Sequence, residues 1–139
     1  MSIEEKQKQI IEDFELLDDW ELKYEHIIEL GKSLPQIEDK KKTESNLIEG
    51  CQSKVWLDSV LKENKLYFFA DSDAIITKGI IALLIDVFNG QSPEDILNSE
   101  VYFINQIGLQ EHLSPTRANG LLSMVKKIKM EAIKNATVN

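Results

Sequence analysis

Val55-Trp56-Leu57-Asp58-Ser59-Val60-Leu61-Lys62-Glu63-Asn64-Lys65-Leu66-Tyr67-Phe68-Phe69-Ala70 is the stretch that decides the fold. Val55 to Leu61 and Leu66 to Ala70 are rich in apolar, β-branched and aromatic side chains, which suit a pleated and half-buried strand. The polar run Lys62-Glu63-Asn64-Lys65 between them is the length of a hairpin turn. Just upstream, Leu47-Ile48-Glu49 is a third β candidate, with Gly50-Cys51-Gln52-Ser53 as the turn that follows it. Three successive strands with short connections predict an antiparallel meander with one face covered by helices.

Helical signals flank this region on both sides. Ser2-Ile3-Glu4-Glu5 is a capping box, and Ile3, Ile10, Ile11, Phe14 and Leu17 then share one helical face. Asp18 or Asp19 starts a second helix with Trp20, Tyr24, Ile27 and Ile28 turned inward, closed by Gly31 and Pro35. Residues 36–46 are polar and read as a surface loop. After the strands, Ser72 or Asp73 caps a predicted helix from Ala74 to Phe88, stopped by Gly90. Ser92-Pro93 opens a short helix, Val101 to Ile107 is a brief amphipathic piece, and Ser114-Pro115 opens the last helix. All three prolines fall at boundaries. The expectation is one α+β domain spanning residues 1–139, with a three-stranded antiparallel sheet packed against several helices.

Composition narrows the function classes. The chain has 139 residues, 42% hydrophobic and 29% charged, with a net charge of −8. That balance is a poor match for a nucleic-acid backbone or an anionic membrane, and neither is expected as a partner. The longest apolar run, Ile80 to Ile85, is far short of a bilayer span. The opening Met1-Ser2-Ile3-Glu4-Glu5-Lys6 has no apolar signal region, and one cysteine excludes an internal disulfide, so a cytoplasmic location is expected. The charge is uneven: residues 1–30 hold ten acidic side chains against three lysines, while residues 125–139 are basic. Arg117 is the sole arginine among sixteen basic residues.

Familiar catalytic signatures are missing. The six glycines are scattered singly, so no phosphate loop exists, and His26 and His112 with one cysteine offer no zinc spacing. Asp71 and Asp73 read as strand-end and helix-cap residues. On the residues alone, Cys51 has two open readings. A lone cysteine is commonly a small buried hydrophobe. Yet Cys51 follows a glycine, precedes two small polar residues and lies in a turn, a setting that presents a thiol outward and lets backbone amides support a thiolate.

Asn46-Leu47-Ile48-Glu49-Gly50-Cys51-Gln52-Ser53-Lys54-Val55-Trp56 closely resembles the active loop of the SufE family. Ala70-Asp71-Ser72-Asp73-Ala74 with Lys78-Gly79, and Leu113-Ser114-Pro115-Thr116-Arg117-Ala118-Asn119-Gly120-Leu121, resemble further segments of it. Trp20, Tyr24, Leu30-Gly31 and Leu34-Pro35 agree as well, so the resemblance spans nearly the whole chain. Thr116 departs from the serine usual there, and the 36–46 loop has no distinctive match.

The resemblance implies an α+β fold related to the IscU-type scaffold and a role as sulfur acceptor in iron–sulfur cluster assembly. Cys51 would take persulfide sulfur from a SufS-type cysteine desulfurase, stimulate that enzyme and relay the sulfur to a SufBCD-type scaffold. Gly50, Gln52 and Ser53 are the expected loop support, and Asp73 is a further candidate for it. Arg117 has two readings: a surface arginine pairing with Asp73 or Glu111, or a guanidinium that organises the sulfur-transfer interface. No cofactor or metal is expected on this chain, since the pyridoxal phosphate belongs to the desulfurase. Pairing of two copies stays open. The rival readings are a cluster scaffold, which needs several cysteine ligands; a thiol redox sensor using Cys51; and a non-catalytic adaptor docking through the acidic helices.

Overall fold

The hairpin forms as its sequence reads. In the computed structural model, which describes residues 1–136, β1 (Val55–Lys62) pairs antiparallel with β2 (Lys65–Ser72). The register runs from Val55 opposite Ser72 to Lys62 opposite Lys65. Glu63 and Asn64 make the turn, both at positive φ (53° and 62°), the two-residue geometry whose twist matches the strands. Leu57, Leu66, Phe68 and Ala70 share the inner face and are fully buried. Trp56, Asp58, Phe69 and Asp71 share the outer face.

The sheet has two strands, not the three expected. Leu47 makes a single antiparallel bridge with Trp56, and Ile48 N–H donates to Val55 O at 2.8 Å. The segment leaves a 3₁₀ turn at Glu44–Asn46 just before this contact and swings away at Gly50 just after it. Only one residue pair therefore registers, too little for a strand. On the opposite edge, Gln36 bridges Ala70 in parallel sense, with Ala70 N–H donating to Pro35 O at 2.9 Å. Residues 36–47 thus form a strap running from the free edge of β2 to the free edge of β1, rather than a plain surface loop.

Two helices precede the strap. α1 (Ile3–Glu15) carries the full capping box, with Ser2 and Glu5 exchanging hydrogen bonds of 3.1 Å. α2 (Trp20–Gly31) starts at Asp19, whose carboxylate accepts from Leu22 N–H at 2.9 Å. α3 (Ile75–Phe88) is the core element: Ile80 to Ile85 are all buried, and the inner face of the hairpin packs on this helix together with α1 and α2. A helix apolar on every side is satisfied only by neighbours on every side. α4 (Pro93–Asn98) and α5 (Phe103–Gln106) are short, and α6 (Pro115–Ala136) closes the molecule. Among the described residues, no helix is long and apolar enough to cross a membrane.

α2 and α3 approach as closely as backbones can. A Cβ on Gly79 would lie 2.2 Å from Ile27 O, and one on Gly31 would lie 3.1 Å from Gly79 N. The two glycines singled out in the sequence as Leu30-Gly31 and Lys78-Gly79 meet here. This contact fixes the start of α3, and with it one wall of the site.

Candidate functional site

Cys51 sits between two roots. Upstream is Gly50, at φ +91°, a conformation that other L residues resist; a Cβ there would also meet Ser123 Oγ at 2.6 Å. Downstream, Lys54 N–H donates to Asp73 Oδ1 at 3.0 Å while Asp73 N–H donates to Lys54 O at 3.2 Å. Asp73 therefore closes the loop instead of capping α3. Ser72 does not cap it either: its hydroxyl accepts from Ala74 N–H at 3.2 Å, while Ala74 stands at the N-cap without a side-chain cap bond, and α3 begins at Ile75, one residue later than expected.

The thiol is not presented outward. Cys51 is half-buried and lies flat on α6, where Gly120 leaves the necessary space: a Cβ there would come within 3.3 Å of Sγ and 3.6 Å of the Cys51 Cα. Cys51 Sγ points its S–H at Gly120 O, 3.6 Å away. Burial pushes the thiol pKa up from the ordinary value. A carbonyl partner acts in the same sense, since it accepts from a thiol and repels a thiolate. The resting side chain is a sheltered, protonated thiol.

Beside it is a cleft of about 10 Å³, lined by Cys51, Gln52, Ser53, Thr77, Ile80, Thr116, Arg117, Gly120 and Met124. That is about the least space that admits one water-sized atom. The walls come from the loop, from the first turns of α3 and from the first turns of α6. α6 is set by Ser114, whose hydroxyl accepts from Arg117 N–H at 3.3 Å. Arg117 is exposed, and among the described residues its guanidinium makes no ion pair with Asp73, Glu111 or any other carboxylate.

Cys51, Gln52, Ser53 and Arg117 all line the one cleft, although Arg117 is remote in sequence. Gly50 and Asp73 hold the loop rather than the cleft. Sequence reading missed Thr77, Ile80 and Met124, and gave Gly120 no role. Thr77 carried a faint signal as a buried polar residue at the start of an otherwise apolar helix. Gly120 carried none, because its use depends on a loop 69 residues away. Neither histidine enters: His112 stacks on Trp20 with ring centroids 3.8 Å apart, and His26 meets Phe14 edge-on. Among the described residues, no group of three or more His, Cys, Asp or Glu side chains is placed to hold a metal ion.

Residues 8–132 match the SufE family, described as an Fe-S metabolism associated domain. The chain belongs to the SufE family. Two relatives agree over 129 residues, or 89% of this chain. An uncharacterized SufE-like protein of Rhizobium meliloti (strain 1021) is 43% identical with 92% of its length covered, and one of Rhizobium etli is 45% identical with 87% covered. A solution structure of a hypothetical protein from Thermus thermophilus superposes with a TM-score of 0.79 at 25% identity, over 95% of this chain and 96% of that one. The SufE assignment associates this chain with iron–sulfur metabolism, and the α+β fold agrees with the sequence expectation except for the third strand.

Proposed function

We propose that this SufE-family protein is a sulfur acceptor, with Cys51 as the residue that carries the sulfur. The donor is a persulfide on a cysteine of a SufS-type desulfurase. The Cys51 thiolate attacks the outer sulfur of that persulfide, the donor S–S bond breaks, and the donor leaves as a thiolate. Cys51 becomes a persulfide and the donor thiol is regenerated, so no external oxidant or reductant is needed. The sulfur then passes by the same exchange to a scaffold of the SufBCD type. Pyridoxal phosphate remains with the desulfurase, and the exchange takes place in the cytoplasm.

The observation that supports this reading is the pairing of a single sheltered thiol with an atom-sized cleft. Shelter guards a reactive sulfur against loss to solvent thiols, and a site that small favours one extra atom over an organic substrate. Arg117 at the rim supplies a fixed cation and five donors for the thiolate or for acidic groups of the partner. Because burial disfavours the thiolate, the loop must shift when the partner docks, and its glycine root at Gly50 permits that movement.

The test is the cysteine turnover of a desulfurase with and without this protein. Wild type should stimulate turnover, Cys51→Ser should not, and Arg117→Lys should stimulate several-fold less at an unchanged melting temperature. Full stimulation by Cys51→Ser would favour the adaptor reading instead.

A further inference from the structure

Two ion pairs hold the strap to the outer face of the hairpin: a long one from Lys41 to Asp58 at 3.9 Å, and a short one from Lys42. Lys42 Nζ donates to Asp71 Oδ2 at 2.7 Å, lies 5.5 Å above the Trp56 ring, and pairs with Asp39 at 3.1 Å. Trp56 and Asp71 stand directly opposite each other in the strand register, so one ammonium spans both strands. Lys78 of α3 approaches Asp71 Oδ1 from the other side at 3.4 Å, and that buried oxygen accepts no hydrogen bond among the described residues. Burial raises the Asp71 pKa, but the hydrogen bond from Lys42 leads the effects that outweigh it, and the carboxyl stays below its ordinary range. Lys40, two residues earlier, is solvated and pairs only with Glu38 among the described residues.

Past this pin the strap has five residues to reach the Leu47–Trp56 bridge and then Gly50. The loop's downstream root is held by Asp73; its upstream root has one backbone bridge, this short ion pair and the longer Lys41–Asp58 pair. We infer that Asp71 is a positioning residue: through Lys42 it anchors the strap, and so the upstream root of the Cys51 loop, while through Lys78 it ties that anchor to the helix lining the cleft. The role in sulfur transfer rests on the acceptor reading above; the anchoring itself does not. Releasing the anchor frees the loop and uncovers the thiol.

The experiment is alkylation of the full chain by iodoacetamide, followed by intact mass, since Cys51 is the only thiol. Lys42→Gln and Asp71→Asn should each react several-fold faster than wild type, their double variant no faster than the quicker single one, and Lys40→Gln at the wild-type rate. Electrostatics alone cannot mimic this pattern: losing a cation lowers the thiolate fraction and slows alkylation, whereas losing an anion does the reverse. Melting temperatures confirm that each variant is folded, and should Asp71→Asn not fold, Lys42→Gln decides. A Lys42→Gln rate equal to or below wild type overturns the anchor. A wild-type protein that takes no sulfur from a desulfurase, while both variants alkylate faster, overturns the acceptor reading and leaves the anchor standing.

Discussion

Two glycine contacts in this molecule look alike and do opposite things. Gly79 lets α3 press against α2, and the atom a Cβ would strike is the Ile27 carbonyl oxygen, backbone in the middle of a helix. Gly120 lets Cys51 press against α6, and the atom struck would be the thiol sulfur on a loop with a glycine at its root. Core neighbours cannot yield, because close-packed backbone transmits any shift to the whole layer. The loop can yield by tenths of an ångström at little cost. The first glycine holds the wall of the site; the second seats a side chain on a loop that can yield.

The contrast breaks hardest at Gly79. With a 2.2 Å clash against backbone, Gly79→Ala should destabilise the fold by about 3 kcal/mol or more, at the upper end of overpacking effects. Thermal unfolding should show a midpoint lowered by roughly 10 °C, and a near-wild-type midpoint would mean that the helices have room to part. Gly120→Ala, meeting sulfur at 3.3 Å, should leave the midpoint within a few degrees yet raise the rate of Cys51 alkylation several-fold. Loss of stability comparable to Gly79→Ala would place the Cys51 loop in the rigid core and erase the distinction.

A smaller effect sharpens it further. Burial raises the Cys51 pKa, so alkylation of the folded protein should reach half its maximal rate at a higher pH than the same chain in denaturant, where the thiol titrates at about 8.5. Between the two values the folded chain is the more protonated, so its stability falls as pH rises through that window. The Gly120→Ala profile should lie between folded wild type and the denatured chain. Coincident profiles for folded and denatured wild type would show that the thiol is not sheltered.

The sequence carried the hairpin and the side-chain caps of α1, α2 and α4, because each is written in neighbouring residues. Lys62 to Lys65 announce their own turn, and Ser2 with Glu5 their own cap. What could not be read depends on distant partners. Leu47-Ile48-Glu49 has the composition of a strand, but the 3₁₀ turn before it and the positive-φ glycine after it leave a single bridge. Cys51 keeps two readings in the sequence because its local setting is polar and glycine-led, whereas the surface that covers it belongs to α6. Asp73 reads as a helix cap by position, yet its carboxylate is taken by Lys54 N–H. The 36–46 segment reads as solvated loop because its shortest pinning contact, Lys42 to Asp71, lies in a run of three lysines that look interchangeable.

The central claim is that the sheltered thiol of Cys51 accepts a single sulfur atom. Its most direct test mixes the protein with a cysteine desulfurase and cysteine, quenches with an alkylating agent and records intact mass. The account predicts a wild-type species heavier by one sulfur, reversed by reductant, located on Cys51 and absent from Cys51→Ser. Wild-type protein that accelerates the desulfurase yet never gains the mass of a sulfur atom would contradict it.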